Sequence, residues 1–163
     1  MEKTMEVNER DVIIGLRPRK DFYSGKYIHR GAHLILKNSK NQILLQKRSP
    51  HKIWNPNMFN YAAGGTVSDE SYKECIVRET EEELGIKVKV KELFKIKYFS
   101  PHDKGFHKIF LAVSDDNLSY EKKEISSVKW VDEAFLKKDI VKNKADYTPV
   151  FIIGIKKFFK LQK

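Results

Sequence analysis

Short apolar blocks separated by polar turns run along most of the chain. Residues 31–37 (Gly-Ala-His-Leu-Ile-Leu-Lys) and 43–48 (Ile-Leu-Leu-Gln-Lys-Arg) flank Asn38-Ser39-Lys40-Asn41, which predicts a β-hairpin. Ser49-Pro50-His51-Lys52 opens a loop that Asn55-Pro56-Asn57 continues. A short strand from Phe59 to Ala63 then runs into Gly64-Gly65. Val88, Val90, Leu93, Ile96 and Tyr98 mark a further strand, and residues 106–113 and 125–131 mark two more. A helix is expected to start near Asp132. Another covers about 147–160, where the apolar, basic run Ile152 to Leu161 suits a terminal helix docking one face. Without repeats, linkers or a composition break, residues 1–163 read as one domain, with residues 1–10 as a flexible lead-in. Strands in mixed order with few helices predict an α+β or mixed-sheet sandwich.

Residues 71–84 break the strand pattern. Ser71 with Glu74 three positions on makes a capping box, and Gly85 supplies a left-handed stop, so a helix is predicted between them. At about 100° per residue, Tyr72, Ile76, Thr80 and Leu84 form one apolar stripe with Val77 beside it. Glu83 projects into that stripe, Glu79 lies at its edge and Glu82 just beyond. A solvated acidic helix would keep its carboxylates away from the buried face. Burying one without a partner costs several kcal/mol, so these side chains call for a cation or strong donors. Glu79, Glu82 and Glu83 stand at i, i+3 and i+4 on one surface. Hard ions such as Mg²⁺ take oxygen ligands of this kind and keep waters and phosphate oxygens in the rest of their shell.

Composition sharpens this picture. Charged residues make up 33% and hydrophobic ones 40%, a soluble balance, and no apolar run is long enough to span a bilayer. The first residues carry no apolar core of a secretory leader, and the single cysteine, Cys75, forms no internal disulfide. Both features lead to the expectation of a cytoplasmic protein. The formal net charge is +10, yet residues 69–83 carry seven acidic side chains against Lys73 and Arg78. An acidic cluster inside a basic protein suggests a cation site surrounded by groups that attract polyanions.

The stretch Gly64-x5-Glu70-x7-Arg78-Glu79-Thr80-x-Glu82-Glu83-x-Gly85-Ile86 resembles the signature of the Nudix hydrolases. Chance agreement at all seven fixed positions is on the order of 10⁻⁸ to 10⁻⁹, which makes the resemblance specific. Thr80 departs from the large aliphatic residue that the family prefers. The resemblance implies an α/β fold, an α/β/α sandwich around a central mixed sheet with a loop–helix–loop box. It also implies Glu79, Glu82 and Glu83 as ligands of Mg²⁺ (or Mn²⁺), and Arg78 braced against Glu70. Gly64 and Gly65 would allow a tight turn and close approach to substrate. The implied reaction is attack of water on one phosphorus of a diphosphate, with a further base or ligand outside the box for which Glu121 and Glu124 are candidates.

Ile28-His29-Arg30-Gly31-Ala32-His33, the segment 38–49 and Trp54-Asn55-Pro56-Asn57-Met58-Phe59 look like the branch that includes isopentenyl diphosphate isomerase. The Cys-Gly-His of those isomerases is replaced by Ala63-Gly64-Gly65, and Phe106-His107-Lys108-Ile109 lacks their later Glu-x-Glu. Hydrolysis of a nucleoside diphosphate linked to another moiety, or of a related small diphosphate, is therefore preferred over isomerisation. A non-catalytic nucleotide- or RNA-binding domain is the other alternative; no reading motif supports it. Arg48 is read either as a phosphate clamp or as a surface cation. His29 and His33 read as partly buried histidines with ordinary bonds, and Trp54, Phe59, Tyr61 and Tyr98 as core. The expected partner is a small diphosphate, with capped RNA among the molecules that present the same group. A homodimer is also an expectation of the resemblance. Specificity is expected in the loops around 50–58, 98–106 and 114–124.

Overall fold

Helix α1 spans Tyr72–Leu84, and its ends follow from the chain chemistry. The Ser71 hydroxyl accepts from the Glu74 backbone N–H at 3.1 Å, and the Glu74 carboxylate accepts from the Ser71 N–H. Gly85 closes the helix with φ 70°. Tyr72, Cys75, Ile76, Thr80 and Leu84 are buried, so Cys75 completes the inner face and Val77 is only half-buried. Thr80 fits where a large aliphatic residue is usual because its hydroxyl donates to the Ile76 carbonyl at 2.6 Å.

The computed structural model describes residues 2–162. Nine strands form one sheet: β1 Lys3–Val7, β2 Ile13–Pro18, β3 Ile28–Lys37, β4 Ile43–Arg48, β5 Phe59–Asn60, β6 Ala63–Thr66, β7 Lys91–Phe99, β8 Lys104–Val113 and β9 Ile125–Val131. Helices α2 (Glu133–Lys142) and α3 (Pro149–Leu161) follow, and a 3₁₀ turn at Arg19–Ser24 links β2 to β3. Ala32, Leu34 and Leu36 of β3 face α1 together with Leu44 and Phe110. Ile35 points to the opposite face with Leu45, Ile109, Phe151 and Ile155. Period-two alternation thus builds two cores on one strand, and the sandwich has α1 on one side and α2 with α3 on the other.

Three expectations change. The hairpin of 31–37 with 43–48 is paired only at Lys37↔Ile43. Beyond that point β3 takes β8 as a parallel neighbour and β6 as an antiparallel one, while β4 takes β9 and β5. The expected strand from Phe59 to Ala63 is two pieces, because Tyr61 turns away to donate to the Val150 carbonyl of α3 at 2.9 Å. Within the expected lead-in, Lys3–Val7 is a paired strand: β1 pairs with β2 and touches β3, and it buries Met5 and Val7 against Phe106, while Met1 lies outside the described residues.

Candidate active site

The polar cleft beside α1 has a volume of about 420 Å³. Glu79, Glu82, Glu83 and Arg78 line it from the helix. Gly64 and Gly65 line it from β6, Gln46 and Arg48 from β4, and His29, His33 and His107 from β3 and β8. Every cleft-lining residue proposed from sequence is therefore brought together. Glu70 stands just behind as the anchor of Arg78.

Arg78 is the hub of the helix. It donates to Glu70 through Nη2 (2.6 Å) and Nε (3.1 Å), and through Nη1 to Glu79 (2.9 Å) and Glu82 (3.1 Å). Burial raises the Glu70 carboxyl, but the hydrogen bonds and charge of Arg78, with the Ser68 N–H and Cys75, together outweigh it and hold Glu70 below its ordinary range. Arg78 itself is pushed up, first by the bond to Glu70. Glu83 gets no such help. Among the described residues its oxygens accept only from neutral donors, Gln46 Nε2 at 3.0 Å and the Gly64 N–H at 3.1 Å. Burial, then the charge of Glu79, pushes its pKa up to about 8. Burial also raises Glu79, against the pull of Arg78.

This donor set fits a divalent cation. It consists of carboxylate oxygens, the ligand type of hard ions, and burial leaves the Glu83 charge uncompensated at its position. Among the described residues no three His, Cys, Asp or Glu side chains are already drawn together around a metal position, because Arg78 holds Glu79 and Glu82.

Gly64 and Gly65 do not make the expected tight turn. Both are extended in β6, opposite His33 and Ala32. Glycine is needed there for space: a Cβ on Gly65 would sit 2.5 Å from the Glu79 carboxylate, and one on Gly64 2.5 Å from His33 Nδ1. Arg48 is not a surface cation. It is half-buried, burial lowers its pKa, and its Nε donates to the Trp54 carbonyl at 3.0 Å. Glu124 lines the cleft and is tied to Lys52, while Glu121 also reaches the lining. Phe59 and Tyr61 pack in or against the α3-side core, as does Tyr98.

The histidines form a set that no local motif marks. His29 Nε2 lies 2.7 Å from Asp103 Oδ1, and His33 Nε2 lies 2.9 Å from His107 Nδ1. Among the described residues the remaining ring nitrogen of each is buried without a partner. Burial pushes His33 down to about 3 and His107 well below the ordinary imidazole value, so both are neutral. The signal was period two: His29, Gly31 and His33 share one face of β3, and parallel pairing sets Gly31 beside His107 and His29 beside Gly105. Cys75 is no substitute for the thiol missing at Ala63, since it is buried on the inner face of α1 and burial raises its pKa.

A mixed sheet between helices, with a carboxylate-bearing box helix beside a polar cleft, defines the Nudix class. A family model described as the NUDIX domain matches residues 27–151, and the chain belongs to that family. It is thereby a hydrolase of phosphorus-containing anhydrides, a class that generally uses divalent metal ions. The chain is 43% identical over 159 residues to a prenyl-diphosphate phosphatase of Methanosarcina mazei, covering 95% of this chain and 94% of that one. It is 31% identical over 129 residues to a Nudix hydrolase of Deinococcus radiodurans, covering 77% and 75%. A crystal structure from Deinococcus radiodurans superposes with a TM-score of 0.78 at 27% identity, over 93% of this chain and 96% of that one. A MutT protein of Methanosarcina mazei shares the fold, with a TM-score of 0.72 at 22% identity over 83% and 96%.

Proposed function

We propose that this protein is a Mg²⁺-dependent hydrolase of prenyl diphosphates, with Glu79, Glu82 and Glu83 as the metal-holding and proton-accepting carboxylates. The observation that supports it most is Glu83, a buried carboxylate at the cleft with neutral hydrogen-bond donors as its direct partners. The substrate class rests on the near full-length similarity to the Methanosarcina mazei phosphatase. It replaces the nucleoside-linked diphosphate preferred from the sequence. Mg²⁺ bound by the three glutamates would offset phosphate charge and make a water more acidic.

The chain's own groups account for the rest. Arg48 and Lys52 line the cleft and can take phosphate oxygens. Gln46 and the Gly64 N–H hold Glu83 in place, and Arg78 with Glu70 holds Glu79 and Glu82. Water attacks the terminal phosphorus and gives up its proton to a carboxylate. The bridging P–O bond breaks, and its oxygen leaves with the inner phosphate. The products are prenyl phosphate and orthophosphate.

The test is orthophosphate and prenyl phosphate release from prenyl diphosphates of five to twenty carbons, beside ADP-ribose and nucleoside triphosphates, with Mg²⁺, Mn²⁺ or EDTA. Turnover of the prenyl series that stops in EDTA is expected, and Glu83→Gln is expected to lower kcat by about 10²-fold or more. Unchanged turnover in Glu83→Gln would remove the helix from the chemistry. Turnover of nucleotides alone would return the substrate to the nucleoside class.

A further inference from the structure

Apolar side chains are scarce in the cleft. Among the described lining residues only Trp54 and Val150 are apolar; the others are polar, charged or glycine. Val150 is 8% exposed and its carbonyl is taken by Tyr61, which leaves Trp54 as the apolar side chain a ligand can lie on.

Trp54 is also held firmly for a loop residue. Its indole stacks on His29, with ring centroids 5.3 Å apart and planes 23° apart, and it meets Tyr23 edge-on at 4.7 Å. His29 is fixed in turn by Asp103 at 2.7 Å. The Trp54 carbonyl accepts from Arg48, so the indole and a cation suited to phosphate are tied into one unit. Ile53, next along the loop, is 67% exposed. Carboxylates, Arg48 and Trp54 thus line one cleft, and the loop that carries Trp54 exposes an apolar side chain at Ile53 just outside that lining. At about 420 Å³ the cleft is at the small end for ligand sites, so a chain longer than one or two isoprene units must leave it.

Resting on the prenyl diphosphate reading above, we infer that Trp54 is the residue that carries the hydrocarbon chain and sets chain-length preference. The diphosphate lies between Arg48 and the carboxylates, and the chain leaves across the indole towards Ile53. A five-carbon chain covers part of the indole. A ten-carbon chain covers the whole face and reaches Ile53, and further units add less.

The test compares kcat/KM for wild type, Trp54→Ala and Trp54→Phe on prenyl diphosphates of five, ten and twenty carbons, with melting curves to confirm folding. For Trp54→Ala the expected loss grows with length, from about threefold at five carbons to about tenfold or more at ten, carried by KM. Trp54→Phe is expected to recover most of it, since a flat apolar face is kept. An equal loss at every length in both variants would mean that Trp54 only supports the loop and would overturn the inference. No loss at any length would do so too. Failure of the parent reading is read separately, on wild type alone, as turnover of nucleotides and of no prenyl substrate; the inference then falls with it.

Discussion

Gly65 shows how little room the site leaves. Its missing side chain is the space in which the Glu79 carboxylate lies, and a methyl group there would press on Cδ and Oε1 at 2.5 Å. The carboxylate ends a flexible side chain, so the fold can yield while the site does not. Gly65→Ala is expected to keep its melting temperature within a few degrees and to lose about 10²-fold in kcat, the cost of displacing a working group by about 1 Å. Thermal melts beside steady-state kinetics check this, and a fully active variant would show that Glu79 is not needed where it stands. At this scale the sequence told most about α1. Spacing alone put Glu79, Glu82 and Glu83 on one surface, because a helix has a fixed pitch. It could not tell that Gly64 and Gly65 are extended, since a glycine pair suits a turn and a crowded strand equally well.

Helix α1 was legible because its start and stop lie within its own residues, Ser71, Glu74 and Gly85. The hairpin of β1 and β2 was not. Ile13, Ile14 and Leu16 are all exposed on β2, so no alternation marks it, and β1 is buried by partners far along the chain. Asp11, at the turn between the two strands, ties them to the rest. It accepts from Arg30 of β3 (2.7 Å), Tyr72 of α1 (2.9 Å) and Lys95 of β7 (2.8 Å). Burial raises its pKa, but the bonds from Lys95, Arg30 and Tyr72 outweigh burial and leave it below the ordinary 3.8. A depressed folded pKa stabilises the fold above the unfolded value, and this is lost as pH falls through the folded one. Asp11→Asn should therefore cost about 2–4 kcal/mol at pH 7 and progressively less below about pH 4. Urea unfolding at pH 7 and pH 3 checks it. An equal deficit at both values would place the effect in packing rather than charge.

For the whole molecule, the cleft joins the box helix to loops that carry no motif. Lys52, Trp54 and Asn55 reach it from one loop, Asp103 from another, and Glu121 and Glu124 from a third. Periodicity finds elements but not the places where loops converge, so the chemistry of the helix was readable while the cleft walls were not. His107, on strand β8, was missed for another reason: its position beside Gly31 depends on a parallel pairing that local sequence does not encode. A cation that binds only the assembled cleft must stabilise the fold by mass action. Mg²⁺ at about 100 times its Kd is expected to add roughly 2.7 kcal/mol, to be reversed by EDTA and to fail in Glu83→Gln. Melting curves with and without the ion measure all three.

The parallel contact of β3 with β8 also has a temporal meaning. Histidines that meet across the cleft floor are 74 residues apart in the chain, whereas the capped helix needs only its own segment. Contacts so distant in sequence close slowly, because the loop entropy is lost before they form. On the ribosome the carboxylate helix can therefore coil soon after it emerges, but the floor must wait for β8 and its cover for α3. Phosphate-binding ability would then arrive as a step near the end of synthesis. Nascent chains arrested before residue 104 would carry the three glutamates and have no cleft in which to use them.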